Sequence, residues 1–205
     1  MAWLAPPVPI IEFNLASTGM SKGIAQTKGP QFLARGELGF GALFVGAYVK
    51  NVDSSTSDAE AAALVGVRTR AAGLDLTASA AWKRAIDPAP GSDRNALEVS
   101  GTASRKIGRM TPRISIVWSP DDLGGTRSTV FAEAGASYGL SSPLSASAAF
   151  GLRERGGGPD YRAWNAGLTW NGLKPLSIDL RYYDTNGGSA QPFRARAVIS
   201  ARARF

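Results

Sequence analysis

The sequence predicts an all-β protein, a closed antiparallel up-and-down transmembrane β-barrel of about 12 strands. Three observations predict this fold. Apolar and polar residues alternate along many segments, the connections between these segments alternate between short and long, and no run of about 20 apolar residues could form a spanning helix. An even number of strands places both termini on one side, which in such barrels is the periplasmic side.

The alternation is clearest in the last segment of the chain. Apolar residues occupy every second position from Phe193 to Phe205, and the positions between them include Arg194, Arg196, Ser200, Arg202 and Arg204. Successive side chains of a strand point to opposite faces, so this segment has one apolar and one charged face. Segments 74–82, 144–153 and 176–184 show the same pattern, which no helical period explains.

The segments and their connections give the predicted boundaries. Strands are expected at 10–18, 30–39, 42–52, 60–70, 74–84, 96–105, 111–119, 128–139, 144–153, 160–171, 176–184 and 193–205. Short turns fall near 39–41, 71–73, 106–110, 139–143 and 171–175, and longer loops at 19–29, 52–59, 86–95, 120–127, 154–159 and 185–192. Short periplasmic turns and longer extracellular loops are typical of outer-membrane barrels.

The start of the chain differs from the rest. Residues 1–9 are rich in proline and are predicted to be a periplasmic lead-in, with the barrel at 10–205. The start carries no basic region of a signal peptide, so an exported protein is expected to have lost its signal already.

Aromatic residues fall at both ends of the predicted outer face. Trp82, Trp118, Phe150, Trp164 and Tyr182 lie near the ends that carry the longer loops. A second set lies near the ends that carry the short turns: Phe40, Tyr138, Trp170 and Phe205. Two such girdles are typical of barrels that span a bilayer, although aromatic residues also favour strands in general.

Composition argues against several other functions. The 205 residues include neither Cys nor His, which removes thiol nucleophiles, most zinc sites and the usual base of a catalytic triad. Glu154 and Asp160 in one loop are expected to be solvated charges. The net charge is +7, but the Arg residues are spread along the strands instead of forming the patch that nucleic-acid binding needs. We therefore expect no enzyme, no cofactor or metal, and no nucleic-acid partner.

The interior face is predicted to be rich in charge. Besides Lys50, alternation places these candidate pore-lining residues inside: Glu12, Arg35, Glu37, Arg68, Asp75, Lys83, Glu98, Arg113, Glu133, Arg153, Asp179, Arg181, Arg194, Arg196, Arg202 and Arg204. About 11 basic against about 6 acidic residues indicate a mildly anion-selective lumen. Alternatively, the Arg residues pair with Glu12, Glu37, Glu98 and Glu133 and plug a narrow barrel.

Parts of the sequence resemble a known family. The stretches GMSKGIAQTKGPQFLARGEL (19–38), GFGALFVGAYVKNVD (39–53) and RYYDTN (181–186) resemble the TorF family of porins. The likeness extends over most of the chain in pattern and over these stretches in residue detail. The resemblance implies an outer-membrane location and passive transport. It supplies no ligand and no site residues.

These observations predict a porin-like channel in the outer membrane for passive diffusion of small solutes, with anions as the candidate class. The alternative is a non-conducting barrel that anchors or joins a larger envelope complex, and a soluble β-barrel is a further rival. Expected partners are outer-membrane lipid, lipopolysaccharide, and either an envelope protein or further copies of the chain. The terminal Phe205, with apolar residues at alternate positions before it, resembles the signal that the barrel-assembly machinery recognises.

Overall fold

The computed structural model describes residues 6–54 and 57–205, and this part of the chain is almost entirely β-structure. Twelve strands form one closed barrel: β1 (Val8–Ala16), β4 (Gln31–Phe40), β5 (Leu43–Ser54), β6 (Ser57–Ala71), β7 (Leu74–Ile86), β8 (Asn95–Ser104), β9 (Met110–Asp122), β10 (Arg127–Gly139), β11 (Leu144–Arg155), β12 (Tyr161–Leu173), β13 (Leu176–Thr185) and β14 (Arg196–Arg204). Two short strands, β2 (Met20–Ser21) and β3 (Ile24–Ala25), form a separate hairpin. Within the two described ranges, no helix is long and apolar enough to cross a membrane.

Every barrel strand is antiparallel to both of its neighbours, and the sheet closes where the first strand meets the last. β1 pairs with β14 from Glu12 opposite Arg204 to Ala16 opposite Ser200. Beyond this register, Ile11 and Phe205 exchange backbone hydrogen bonds of 3.1 and 2.9 Å. A closed sheet leaves no edge of unpaired N–H and C=O groups, as a hydrocarbon environment requires. The predicted closed barrel of 12 antiparallel strands is confirmed.

The two faces of the strands differ as the alternation predicts. Along β12, Trp164 and Leu168 are exposed on the outer face, whereas Tyr161 lies on the inner face and is only 3% exposed. On β9, Ile114 is 63% exposed. A soluble barrel would hold these large apolar side chains inside. An apolar outer surface around a polar interior is the arrangement of a membrane barrel.

The aromatic residues of the outer face lie near both ends of the strands. The exposed set near the longer loops is Trp82, Trp118, Phe150, Trp164 and Tyr182, and the exposed set near the short turns is Tyr138, Trp170 and Phe205. The rings of Trp164 and Tyr182 contact each other across neighbouring strands, with centroids 5.4 Å apart. The predicted girdle positions are therefore on outward-facing rows, including the half-buried Phe40, which lies opposite the exposed Leu43.

Two of the predicted longer loops are mostly strand. In place of a loop at 52–59, β5 continues to Ser54 and β6 begins at Ser57, opposite it, with residues 55–56 outside the described part. In place of a loop at 120–127, β9 reaches Asp122 opposite Arg127, and a 3₁₀ turn joins the strands at Leu123–Gly125. Pairing with the neighbouring strand overrides the turn preference of these Asp, Ser and Gly residues.

The barrel begins earlier than predicted. Val8 already belongs to β1 and pairs opposite Gly39 of β4. Residues 1–5 of the predicted lead-in lie outside the described residues. The beginning of β1 and the end of β14 lie at the same end of the barrel as the short turns, which we call the turn side; the other end is the loop side.

Candidate functional site: a hairpin in a charged lumen

The first loop, between β1 and β4, folds into the barrel instead of extending from it. The segment Met20–Ala25, named here the inward hairpin, contains β2 and β3 and turns at Lys22 and Gly23, with φ values of 51° and 82°. Its base is closed by a hydrogen bond of 2.7 Å from the Gln26 amide to the Gly19 carbonyl. The Gly19 amide also donates to Thr27 Oγ1 at 2.8 Å, in a buried position.

The inward hairpin contacts the interior wall on several sides. At Gly23, a Cβ atom would collide with the Cβ of Ala163 on β12, so the backbone approaches the wall as closely as glycine permits. The Tyr161 hydroxyl donates to the Lys22 carbonyl at 2.7 Å. The Ala25 amide donates to the carbonyl of Pro192, in the loop before β14, at 3.1 Å. The hairpin is therefore held by backbone contacts as well as by charge.

A buried network of charges receives the hairpin. Lys22 Nζ lies 2.7 Å from Glu98 on β8 and 2.8 Å from Asp122 on β9. Lys83 on β7 lies 3.3 Å from Glu98 and 3.2 Å from Asp122. Arg153 on β11 contacts Asp122 at 3.0 Å. Buried charges are stable only when they are paired, and Asp122 holds three cations at once.

The same network continues to strands β5 and β6. Glu60 lies 3.4 Å from Lys50 and 3.9 Å from Lys83. The Tyr48 hydroxyl donates to Glu60 at 2.6 Å, and Lys50 donates to Gln26 beside the hairpin at 2.7 Å. We call the group of Lys22, Lys50, Glu60, Lys83, Glu98, Asp122 and Arg153 the lysine–carboxylate network. It has four cations against three carboxylates and is concentrated toward the loop side.

A second cluster lies nearer the turn side. Glu37 on β4 accepts hydrogen bonds from Arg35 at 3.0 Å and from both terminal nitrogens of Arg68 on β6. The Arg68 guanidinium also lies 3.9 Å from the centre of the Phe44 ring. That ring occupies the space a side chain would need at Gly66, so Phe44 fills the interior there.

Two further ion pairs line the interior on the far strands. Arg113 contacts Glu133 at 2.6 Å. Arg181 contacts Asp179 at 2.9 Å and donates to Asn165 at 2.7 Å. Both guanidinium groups are held by their carboxylate partners, so the inner wall is polar at these strands.

Two cavities flank the inward hairpin. The first has a volume of about 480 Å³ and is lined by the hairpin together with Arg113, Glu133, Asn165, Arg181 and Tyr183. The second has a volume of about 500 Å³ and is lined by residues of the lysine–carboxylate network and the loops. Ser21 and Lys22 line both, so the hairpin lies between them.

The registers place the predicted interior residues, with one exception, on rows that face the lumen. Glu12 lies opposite both Arg35 and Arg204, and Arg202 lies opposite Asn14. Two further residues of the predicted interior set, Asp75 and Arg196, lie near the ends of the barrel. Asp75 lies 3.6 Å from Arg70, and Arg196 donates to Gln191 at 2.7 Å. Whether these side chains line a conducting pore stays a prediction.

Arg194 is the exception. β14 begins at Arg196, two positions later than the alternation requires for Arg194 to be in the strand. The amides of Phe193 and Arg194 both bond to the Ala190 carbonyl, at 2.9 and 3.1 Å, which forms a turn in place of the ladder. Phe193 consequently leaves the expected outer face and packs edge-on against the inward Tyr161, with ring centroids 5.2 Å apart.

Five residues that belong to the network or contact it are absent from the predicted interior set: Lys22, Tyr48, Glu60, Asp122 and Tyr161. Glu60 is the first residue of the predicted strand 60–70 and, like Arg68, has an even number, so the alternation used for Arg68 already places it on the inner face. Simple alternation along β9 from Arg113 places Asp122 on the outer face. A bulge between Ser119 and Asp122 shifts the register by one residue and turns this side chain inward. Lys22 lies in a loop, and no local pattern indicates that the loop folds inward.

This chain is similar to known proteins in its fold and not in its sequence. No family model matches the chain, and no curated protein matches it; the likeness to the TorF family stays a prediction. Among solved structures, one named KdgM porin superposes with a TM-score of 0.63 at 9% identity, covering 96% of this chain and 99% of that one. The NanC porin superposes with a TM-score of 0.60 at 7% identity, covering 95% and 97%. The outer membrane protein opdK of Pseudomonas aeruginosa gives 0.50 at 13% identity, covering 86% of this chain and 58% of that one.

The fold, the apolar outer surface and the polar interior together define a class of protein, the barrel of an outer-membrane porin type. The chain has the fold of outer-membrane porin barrels, and its 12-strand barrel superposes on the KdgM and NanC porins over nearly their full length.

Proposed function

We propose that this protein is an outer-membrane channel for the passive diffusion of small polar solutes, with a preference for anions. The observation that carries the proposal is the arrangement of the lumen. Two cavities of about 480 and 500 Å³, each lined by charged side chains, flank the inward hairpin inside a closed barrel with an apolar outer surface. Cavities of this size hold small organic molecules.

The hairpin is the proposed constriction. Solutes that move between the two cavities pass the side chain and backbone of Lys22, because this residue and Ser21 line both. A loop folded into a barrel narrows the passage without altering the strands, and hydrogen-bonding groups and charges along it select the solute. The constriction explains how a barrel of 12 strands would exclude larger molecules.

An excess of positive charge supports the preference for anions. The lysine–carboxylate network has four cations against three carboxylates, and Glu37 is shared by Arg35 and Arg68. Arg202 and Arg204 face the turn-side mouth without an ion-pair partner among residues 6–54 and 57–205. Rings of Arg and Lys favour anions in pores.

A specific observation favours the second candidate, a non-conducting barrel that serves as an anchor or as part of an envelope complex. The hairpin is held by buried ion pairs and by close backbone contact with β12, as a plug would be. Under either candidate, we propose that the exposed apolar surface contacts lipid and lipopolysaccharide and that the barrel-assembly machinery recognises Phe205, which is 66% exposed.

Single-channel recording in planar bilayers under a KCl gradient distinguishes the two candidates. We expect small, stable conductance steps and a reversal potential of the sign given by chloride preference. The double variant R202Q/R204Q should shift that potential toward zero, because it removes two unpaired charges from one mouth. The matched control R84Q/R94Q removes two exposed charges on the loop side and should change it less. Cation preference in the wild type contradicts the proposed selectivity, and a folded, inserted barrel without conductance favours the anchor.

A further inference from the structure

The short turns carry unpaired positive charge. Arg105, Lys106 and Arg109 are exposed within the connection from β8 to β9, and Lys174 is exposed between β12 and β13. None of the four has an ion-pair partner in the described part of the chain. We call them the basic rim. The turn-side connections, residues 41–42, 72–73, 105–109, 140–143 and 174–175, contain no acidic residue.

The loop side differs in its charge balance. Its connections and strand ends include Asp53, Asp87, Asp121, Glu154 and Asp160 beside their basic residues. Some of these carboxylates already bind chain groups, such as Asp53, which lies 3.7 Å from Lys28. The turn-side connections therefore differ from the loop side in carrying basic residues with no carboxylate among them.

The basic rim adjoins the apolar outer surface. The Arg105 amide bonds to the Pro112 carbonyl at 3.2 Å, two residues beyond the outward pair of Ala103 and Ile114, so Arg105 continues the outer face. Ile107 and Met110 form a bridge and are 55% and 43% exposed. Leu173, directly before Lys174, is also exposed. Basic side chains at the edge of an apolar band extend toward the interface, where lipid phosphates lie.

We infer that the basic rim binds the phosphate groups of anionic phospholipids in the leaflet on the turn side. The inference rests on the proposed membrane location. An anionic phospholipid fits both the basic and the apolar part of this surface. Its phosphate would bind Arg105, Lys106 and Arg109, and its acyl chains would cover Ile107 and Met110. A soluble phosphate or an acidic protein would leave these apolar side chains uncovered. Each basic residue near an anionic bilayer changes affinity by about fivefold.

Native mass spectrometry of the full chain in detergent tests the inference, with phosphatidylglycerol and phosphatidylcholine as paired probes. We expect the wild type to retain phosphatidylglycerol at least about tenfold better, given three or four such charges. The variant R105Q/K106Q/R109Q should lose most of this preference. The control K28Q/R94Q/R194Q removes the same charge from exposed loop-side positions and should keep it. Heat-modifiable migration on a gel checks that each barrel is folded, and K106Q alone provides an about fivefold test if the triple variant does not fold.

Several results would overturn the inference. Equal retention of the two lipids by the wild type, or equal losses in the rim and control variants, would do so. Displacement of phosphatidylglycerol by an equal concentration of inorganic phosphate would indicate a free-anion site, and rim-dependent binding of poly-glutamate in place of lipid would indicate an acidic protein. A barrel that conducts but shows no lipid preference refutes this inference alone, whereas failure to insert into vesicles refutes the proposed function.

Discussion

At the scale of single residues, Gly23 decides how closely the inward hairpin approaches the wall. Its φ of 82° is a conformation that side chains rarely adopt, and the space for a Cβ is occupied by Ala163. The residue therefore meets two separate demands, one of backbone conformation and one of space. Gly91 meets only the first, since its φ is 80° and nothing lies within 4 Å of a Cβ placed there.

The pair of glycines permits a controlled prediction. Gly91→Ala should lower the free energy of unfolding by about 1 kcal/mol, the cost of the left-handed backbone alone. Gly23→Ala should cost roughly 1 to 3 kcal/mol more, because the added methyl group overpacks the contact with β12. Urea unfolding in detergent, followed by tryptophan fluorescence, measures both. Adding Ala163→Gly to Gly23→Ala should recover the extra loss, and no recovery would show that the wall contact is unimportant.

At the scale of elements, the alternation of apolar and polar residues predicts the strands well but does not predict the inward hairpin. Each strand faces apolar surroundings on one side and polar surroundings on the other, so local alternation is enough to define it. The path of the inward hairpin depends instead on contacts between distant positions, such as Lys22 with Asp122, 100 residues apart. Arg residues pair with Glu37 and Glu133 as the alternative predicts, whereas Glu98 pairs with Lys22 and Lys83, and Glu12 has no ion-pair partner among the described residues.

Removal of the inward hairpin tests its role as an element. The Gly19 carbonyl and Gln26 amide are already joined at 2.7 Å, so deletion of Met20–Ala25 leaves ends that a single peptide bond can connect. We expect the barrel to fold, since neither β2 nor β3 pairs with a barrel strand, and the single-channel conductance to rise as the two cavities merge. Deletion of residues 87–92 removes an equally long piece of the β7–β8 connection and should leave conductance near that of the wild type. Unchanged conductance without the hairpin would mean that the constriction lies elsewhere.

At the scale of the whole molecule, the barrel reverses the usual distribution of polarity. The apolar side chains face outward, and the interior is held together by ions that join distant strands. The lysine–carboxylate network connects β5, β6, β7, β8, β9 and β11 with the inward hairpin. The connections at the turn side carry the basic rim and no acidic residue, whereas those at the loop side carry charges of both signs, so the two ends of the barrel differ in charge balance.

The network should contribute to global stability in proportion to its burial. Asp122 is 5% exposed and contacts Lys22, Lys83 and Arg153, so Asp122→Asn leaves three buried cations without their shared carboxylate. We expect a loss of about 3 to 5 kcal/mol in the free energy of unfolding, the cost of breaking a buried ion pair from one side. Glu133→Gln is the matched control, because its partner Arg113 has a side chain that is 51% exposed, and it should cost about 1 kcal/mol or less. High salt should also weaken the Arg113–Glu133 pair more than the buried network, since buried charges are screened much less than exposed ones. Equal losses in the two variants would contradict the expected dependence of the loss on burial.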